Sequence, residues 1–303
     1  MHHLKRCDAI DPVPHFLSHS DGFTRCALVD GDAGSVHMGL GYCRLEDGHI
    51  DEHVQSYEES FFVLEGEPIL YLDGRGYRLA RGACGVIPVG VPHAWRAEGE
   101  ACWIDMLAPR PRRPDEKPDT FFVGPAPSSA TLPVDVRDPR TRNFFRLEDW
   151  QMDVDNLKVG APVEQPTVSA SMATALLAYS GITVKMLVDQ RLDAHLHTMF
   201  MVQYRGEGIA QPHDHPFEES YYMLEGEIEV VADGERYTLL PGDVFWTGVG
   251  CVHAFYNTSG KRVTWLETSA PGPPDRHSYR FDRDWDYLDE QIESSSKLET
   301  SSS

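Results

Sequence analysis

Nowhere does this chain carry the run of about twenty apolar residues that a helical bilayer crossing needs. The longest apolar stretch, MATALLAYSGITVKMLV, is broken by Ser180, Gly181 and Lys185. The opening segment MHHLKRCDAIDPVPHF lacks the apolar centre of a secretory signal, so a cytoplasmic protein without a membrane partner is the expectation. Basic charge is scarce. Lys and Arg number 27 against 48 Asp and Glu, the formal net charge is -21, and PRPRRP is the single short basic cluster. A polyanion would be repelled, which argues against nucleic acid as a partner, and no helix-turn-helix pattern accompanies the chain. Six cysteines (Cys7, Cys26, Cys43, Cys84, Cys102, Cys251) show neither a CxxC pair nor a regular spacing. They read as reduced thiols rather than a disulfide scaffold. What is present is a globular composition, 41% hydrophobic and 25% charged, over 303 residues, enough for two domains.

Residues 53–97 lie over residues 213–257 at a constant offset of 160, without a gap. HVQSYEESFFVLEGE matches HDHPFEESYYMLEGE, DGRGYRL matches DGERYTL, and GVPHA matches GCVHA. His53 falls on His213, Gln55 on His215, Glu59 on Glu219, His93 on His253 and His37 on His197. This is a tandem duplication. Within each half, β-branched and aromatic runs lead into Asp-Gly at 73–74 and 233–234, a hairpin signal, and strand, Gly-turn, strand patterns follow. The expected fold is all-β: two tandem antiparallel β-barrels. The expected layout is an N-terminal barrel over 1–110, a Pro-rich linker and junction over 111–160 that crosses the surface, and a C-terminal barrel over 161–280. An acidic, Ser-rich tail over 281–303 should be frayed, and RLEDWQMDVDNL suggests a short helix near the junction.

Side chains alternate along a strand, so His213 and His215 share a face; Glu219, Tyr221 and Met223 share one phase, and His253, Phe255 and Asn257 another. If these faces line one barrel, three imidazoles and a carboxylate converge. Such donors suit one divalent transition metal per chain, Fe, Mn, Co, Ni or Zn, and not calcium. Tyr221, Met223, Phe245 and Phe255, with Gln211 in the phase of His213, read either as the wall of a small-molecule substrate pocket or as barrel core. Glu218 points to the opposite face and reads as solvated. His37 and His197 read as neighbours of the site or core residues rather than ligands, and Cys251 as a thiol at the mouth or an inert buried one.

His213-x-His215-xxx-Glu219-xxxxxx-Gly226, with Gly242 and Gly250-xx-His253-xxx-Asn257, resembles the two signature motifs of the cupin superfamily. His53, Glu59, Gly66, Gly82, Pro88, Gly90 and His93 resemble them again in the first half. Gly248 stands where the family usually has proline, Gln55 where it has a ligand histidine, and Ala97 where it has the closing asparagine. The resemblance implies a bicupin of two jelly-roll (double-stranded β-helix) barrels, with metal on His213, His215, Glu219 and His253. For the first half two readings stay open: a second, weaker metal site on His53, Gln55, Glu59 and His93, or a relic barrel kept for packing. Similar bicupins include flavonol and aromatic-ring-cleaving dioxygenases, oxalate-degrading enzymes and pirin-like proteins, so the leading expectation is a metal-dependent dioxygenase on a small oxygenated substrate, with Glu219 either staying ligated or swinging off as a proton acceptor. The alternatives are a non-redox hydrolase, lyase or isomerase, or a binding bicupin without turnover. Ureidoglycine aminohydrolase has a similar layout, but its ligand set begins with glutamate and ends with glutamine, where this chain has His213 and His253. A homodimer is expected, since exposed barrel edges pair in such folds.

Overall fold

The computed structural model describes residues 1–112, 119–134, 139–141, 143–148, 152, 181–272 and 280–281. Their architecture is all-β. The first half is a curled 12-stranded sheet; the second half faces a six-stranded sheet against a five-stranded one. Among the described residues no helix is long and apolar enough to cross a membrane. Of the proposed junction helix over 146–157 only residues 146–148 and 152 are described, with Arg146 ending a strand, and the tail after residue 281 lies outside the described residues.

Local chemistry explains the repeating hairpins. Asp73 and Gly74 have φ of 50° and 74°, and Asp233 and Gly234 have 49° and 83°. Positive φ at both central residues makes the tight primed turn whose twist matches its strands. It joins Ile69–Leu72 to Arg75–Arg78 and Ile228–Ala232 to Glu235–Leu239. Each barrel then fills with aromatics: Trp95 stacks on Trp103 at 4.7 Å in the first, and Tyr204 packs on Trp265 at 4.6 Å in the second.

The two halves are interlocked. Strand His2–Lys5 pairs with Val244–Thr247 and so completes a sheet of the second barrel, although it was expected within the first. Strand Phe144–Arg146 pairs reciprocally with Ala83–Ile87 of the first barrel. Strands Thr120–Gly124 and Thr131–Leu132 also join the first barrel's sheet. The segment expected as a surface linker is thus partly built into that sheet, because its apolar residues have backbone edges to pair with. The exchange accounts for Gly248, whose N–H donates to Met1 O at 2.9 Å, a bond that proline could not make.

An apolar cluster with Leu28, Met38, Cys84 and Met106 on one side and Leu187, Met199, Met201 and Leu266 on the other fills the space between the barrels. Two carboxylates cross this boundary. Glu218, expected in solvent, is buried, accepts from the Val36 N–H at 2.7 Å, and takes Ser35 Oγ at 2.6 Å. Glu58 does the same in the other direction, accepting from the N–H groups of His195 (2.9 Å) and Leu196 (3.0 Å), with His197 Nδ1 at 2.9 Å. Strand phase placed Glu218 away from its own barrel's interior, but the partner barrel covers that face. His197 therefore serves the boundary, together with the Ser60 hydroxyl it touches.

Candidate metal centre

Three short strands deliver the second-half ligands: Ile209–Asp214, Glu218–Glu225 and His253–Tyr256. His213 and His253 face each other in register. Each donates Nδ1–H to the carbonyl two residues back, Gln211 O at 2.6 Å and Cys251 O at 2.9 Å. These bonds fix the tautomer and turn Nε2 inward. The ligand atoms of His213, His215 and His253 all lie within 4.8 Å of one another. Glu219 Oε2 stands 3.2 Å from His215 Nε2 and 3.6 Å from His253 Nε2. Those are the separations of neighbouring ligands on an ion with bonds of about 2.0–2.1 Å.

Electrostatics favour the same use. Burial and the neighbouring imidazoles hold His213 well below its ordinary pKa, and burial brings His253 down to about 4, so both are neutral and available as donors. Burial raises the Glu219 carboxyl. Its hydrogen-bonding partners are unusual: Tyr221 Oη donates to Glu219 Oε2 at 2.6 Å and lies 2.9 Å from His253 Nε2, and the Glu267 carboxyl bonds to Glu219 from behind. Trp265 Nε1 donates to Glu267 Oε2 at 2.8 Å, and burial beside Glu219 holds Glu267 well above the usual carboxyl range.

Of the predicted pocket residues, Tyr221 reaches the site. Met223, Phe245 and Phe255 are buried in the second barrel's apolar cluster, where Phe255 packs on Tyr221 at 4.9 Å. Gln211 does not line the interior; it is exposed. The cause is a register shift between Ala210 and His213, an extra residue that breaks the alternation linking Gln211 to His213. Glu267 went unrecognised in the sequence. Its signal was there: CWID at 102–105 recurs as TWLE at 264–267, placing a buried acid at the same point of both barrels.

In the first half His53, Gln55, Glu59 and His93 are all buried together, but their contacts differ. Gln55 Nε2 donates to Glu59 Oε2 at 3.0 Å and lies 3.5 Å from His53 Nε2. An amide donor thus stands among the groups that would meet a cation. His93 Nε2 is 3.9 Å from Glu59 Oε2, and neither it nor Gln55 Oε1 has a hydrogen-bond partner. Among the described residues, no set of three His, Cys, Asp or Glu ligand atoms gathers as closely there as in the second half. The mouth differs too, with Phe16 and Phe122 packed on His53 at 5.8 and 5.4 Å. Behind, the Glu267 equivalent, Asp105, is taken up by a two-pronged ion pair with Arg25 at 2.6 and 2.7 Å.

Paired antiparallel barrels, one with an inward imidazole and carboxylate cluster that could hold a metal, define the class of this protein. The family model for the cupin domain matches residues 41–107 and 199–269, one match per barrel. Each barrel is a cupin domain and the chain is a bicupin. Quercetin 2,3-dioxygenase of Bacillus subtilis is 22% identical over 240 residues, covering 74% of this chain; the chain spans 66% of that relative's length. The fold resembles salicylate 1,2-dioxygenase of Pseudoaminobacter salicylatoxidans in its adducts with gentisate (TM-score 0.64, 16% identity, 89% of this chain and 81% of that one). It also resembles oxalate decarboxylase of Lactobacillus farciminis in its formate complex (TM-score 0.61, 13% identity, 93% and 89%).

Proposed function

We propose that the protein is a metal-dependent dioxygenase acting on a small oxygenated organic molecule, with one divalent transition metal held by His213, His215, Glu219 and His253. The observation that carries this is the gathering of three buried imidazoles, with the buried Glu219 carboxylate 3.2 Å from His215 Nε2 and 3.6 Å from His253 Nε2. Similarity to quercetin and salicylate dioxygenases supports oxygen chemistry. When bound, a redox-active ion supplies open coordination positions and the electron exchange that dioxygen chemistry requires. The chain's own groups do the rest. Buried His213 and His253 keep their donor nitrogens aimed by backbone carbonyls. Glu219, once swung off the ion, would take a proton from a substrate hydroxyl, and Tyr221 Oη, 2.6 Å from Oε2, would stabilise the carboxylate before that transfer. The apolar wall of Phe217 beside His215 limits water.

One observation favours a second, non-redox reading. Glu219 and Glu267 form a hydrogen-bonded carboxyl pair, an arrangement able to hold a proton for a lyase such as the oxalate decarboxylase whose fold this chain shares. Elemental analysis of the purified protein, followed by oxygen-electrode assays on phenolic and enolic substrates, separates the two. A redox-active metal near one equivalent per chain with substrate-dependent oxygen uptake supports the dioxygenase. Turnover that persists under argon supports the lyase, and protein that binds no metal refutes both. Homodimerisation, expected from the barrel edges, is read from the mass in light scattering.

A further inference from the structure

We propose that His2, Asp233 and Cys251 form a second cation site, for a thiophilic divalent ion such as zinc, at the seam where strand His2–Lys5 joins the second barrel. Three unlike donors meet there from three separate segments: the exchanged strand, the Asp-Gly hairpin and the turn preceding His253. Their ligand atoms lie within 4.8 Å of one another. His2 Nδ1 is 3.2 Å from Asp233 Oδ2, and Cys251 Sγ is 3.5 Å from the same oxygen. A tetrahedral ion with bonds of about 2.0 Å to N and O and about 2.3 Å to S has ligand–ligand edges of about 3.3 and 3.5 Å. Both edges that meet at Asp233 Oδ2 already have those spacings.

The surroundings are arranged for ligation. His2 Nε2 is 2.9 Å from Tyr237 Oη, which orients the ring so that Nδ1 faces the other two donors. The sulfur is buried, while Asp233 at the hairpin tip is open to solvent, a path for entry. The Met1 nitrogen, 2.8 Å from Asp233 Oδ2 and bonded to Cys251 as well, occupies the place of a cation there, and an incoming ion displaces it. The first barrel has no counterpart: Asp73 matches Asp233, but Val91 stands where Cys251 does. The site belongs to the second half alone. There it braces the turn whose Cys251 carbonyl fixes His253, tying the exchanged strand to the principal ligand set.

A hydrogen-bonded trio would have similar separations, and the two cases differ in whether sulfur carries a metal or a proton. Cobalt titration of metal-stripped protein distinguishes them, because thiolate bound to Co2+ gives an intense near-ultraviolet charge-transfer band. The band should saturate at one equivalent per chain and disappear in Cys251→Ser, with total cobalt falling by one equivalent. It should persist in the His213→Ala/His215→Ala/His253→Ala variant, which makes the result independent of the principal site. Asp233→Asn, which keeps a good hairpin residue before Gly234, should also lose that equivalent. Tyr237→Phe should weaken it by about tenfold. A wild type without the band, a band that survives Cys251→Ser, or unchanged cobalt content in Asp233→Asn would each overturn the site.

Discussion

Replacing Glu58 by alanine tests whether the two barrels stand or fall as one. The carboxylate accepts backbone hydrogen bonds of 2.9 and 3.0 Å from His195 and Leu196 and lies 2.9 Å from His197 Nδ1, all across the barrel boundary. A hydrogen bond to a charged group contributes about 1.5–3 kcal/mol, and removing one partner of a buried polar set leaves the others unpaired. Breaking such a buried pair destabilises by about 3–5 kcal/mol. With a urea slope of about 3 kcal/mol per molar, the midpoint should fall by about 1–1.7 M. The assay is urea unfolding of the full chain followed by tryptophan fluorescence and far-ultraviolet circular dichroism. Both probes should move together in one transition, since exchanged strands and carboxylates join the halves. A loss under about 1 kcal/mol, or two separate transitions with only one displaced, would refute the reasoning. The pH dependence has a definite sign. Burial alone would raise the Glu58 carboxyl, but His197 and the two N–H groups outweigh it and hold it below its ordinary 4.5. Its contribution is therefore present above about pH 4.5 and is lost as the pH falls through the depressed folded value. Glu58→Gln should flatten that acid limb of the stability curve.

Three further outcomes are expected. His215→Ala should abolish metal loading in the second barrel while Gln55→Ala changes it little, read by elemental analysis; equal losses would reverse the ranking of the two sites. Tyr221→Phe removes the 2.6 Å bond to Glu219, so turnover should fall by about tenfold with metal content retained, and an unchanged kcat would remove Tyr221 from the reaction. Gly248→Pro deletes the N–H that reaches Met1 O and should lower stability by about 1–3 kcal/mol in the same urea assay, although proline is the residue found at the matching Pro88.

Much of this protein was legible because its chemistry is local and periodic. The duplication, the Asp-Gly hairpins and the two-residue spacing of His213 and His215 all follow from short-range pattern, and the all-β fold followed from them. What was hidden depended on partners far along the chain. Glu218 has the phase of a solvated residue, and only the apposed Ser35–His37 segment makes it buried. Gln211 misled because one extra residue in its strand resets the alternation. Strand His2–Lys5 carries no sign that its edge belongs to residues 244–247. Glu267, the one charged residue of strand Val263–Ala270, gains meaning only when Asp105 is set beside it.

The exchanged first strand also sets a timetable for synthesis. Residues 2–5 leave the ribosome long before their pairing partners 244–247 are made. At about 5–20 residues per second, that interval is on the order of ten to fifty seconds. Throughout it the nascent chain displays an unsatisfied β-edge, a lure for wrong partners and a natural address for a chaperone. The barrel that bears the histidine cluster is therefore finished by a segment that precedes the other barrel, so its maturation joins stretches of chain made far apart in time.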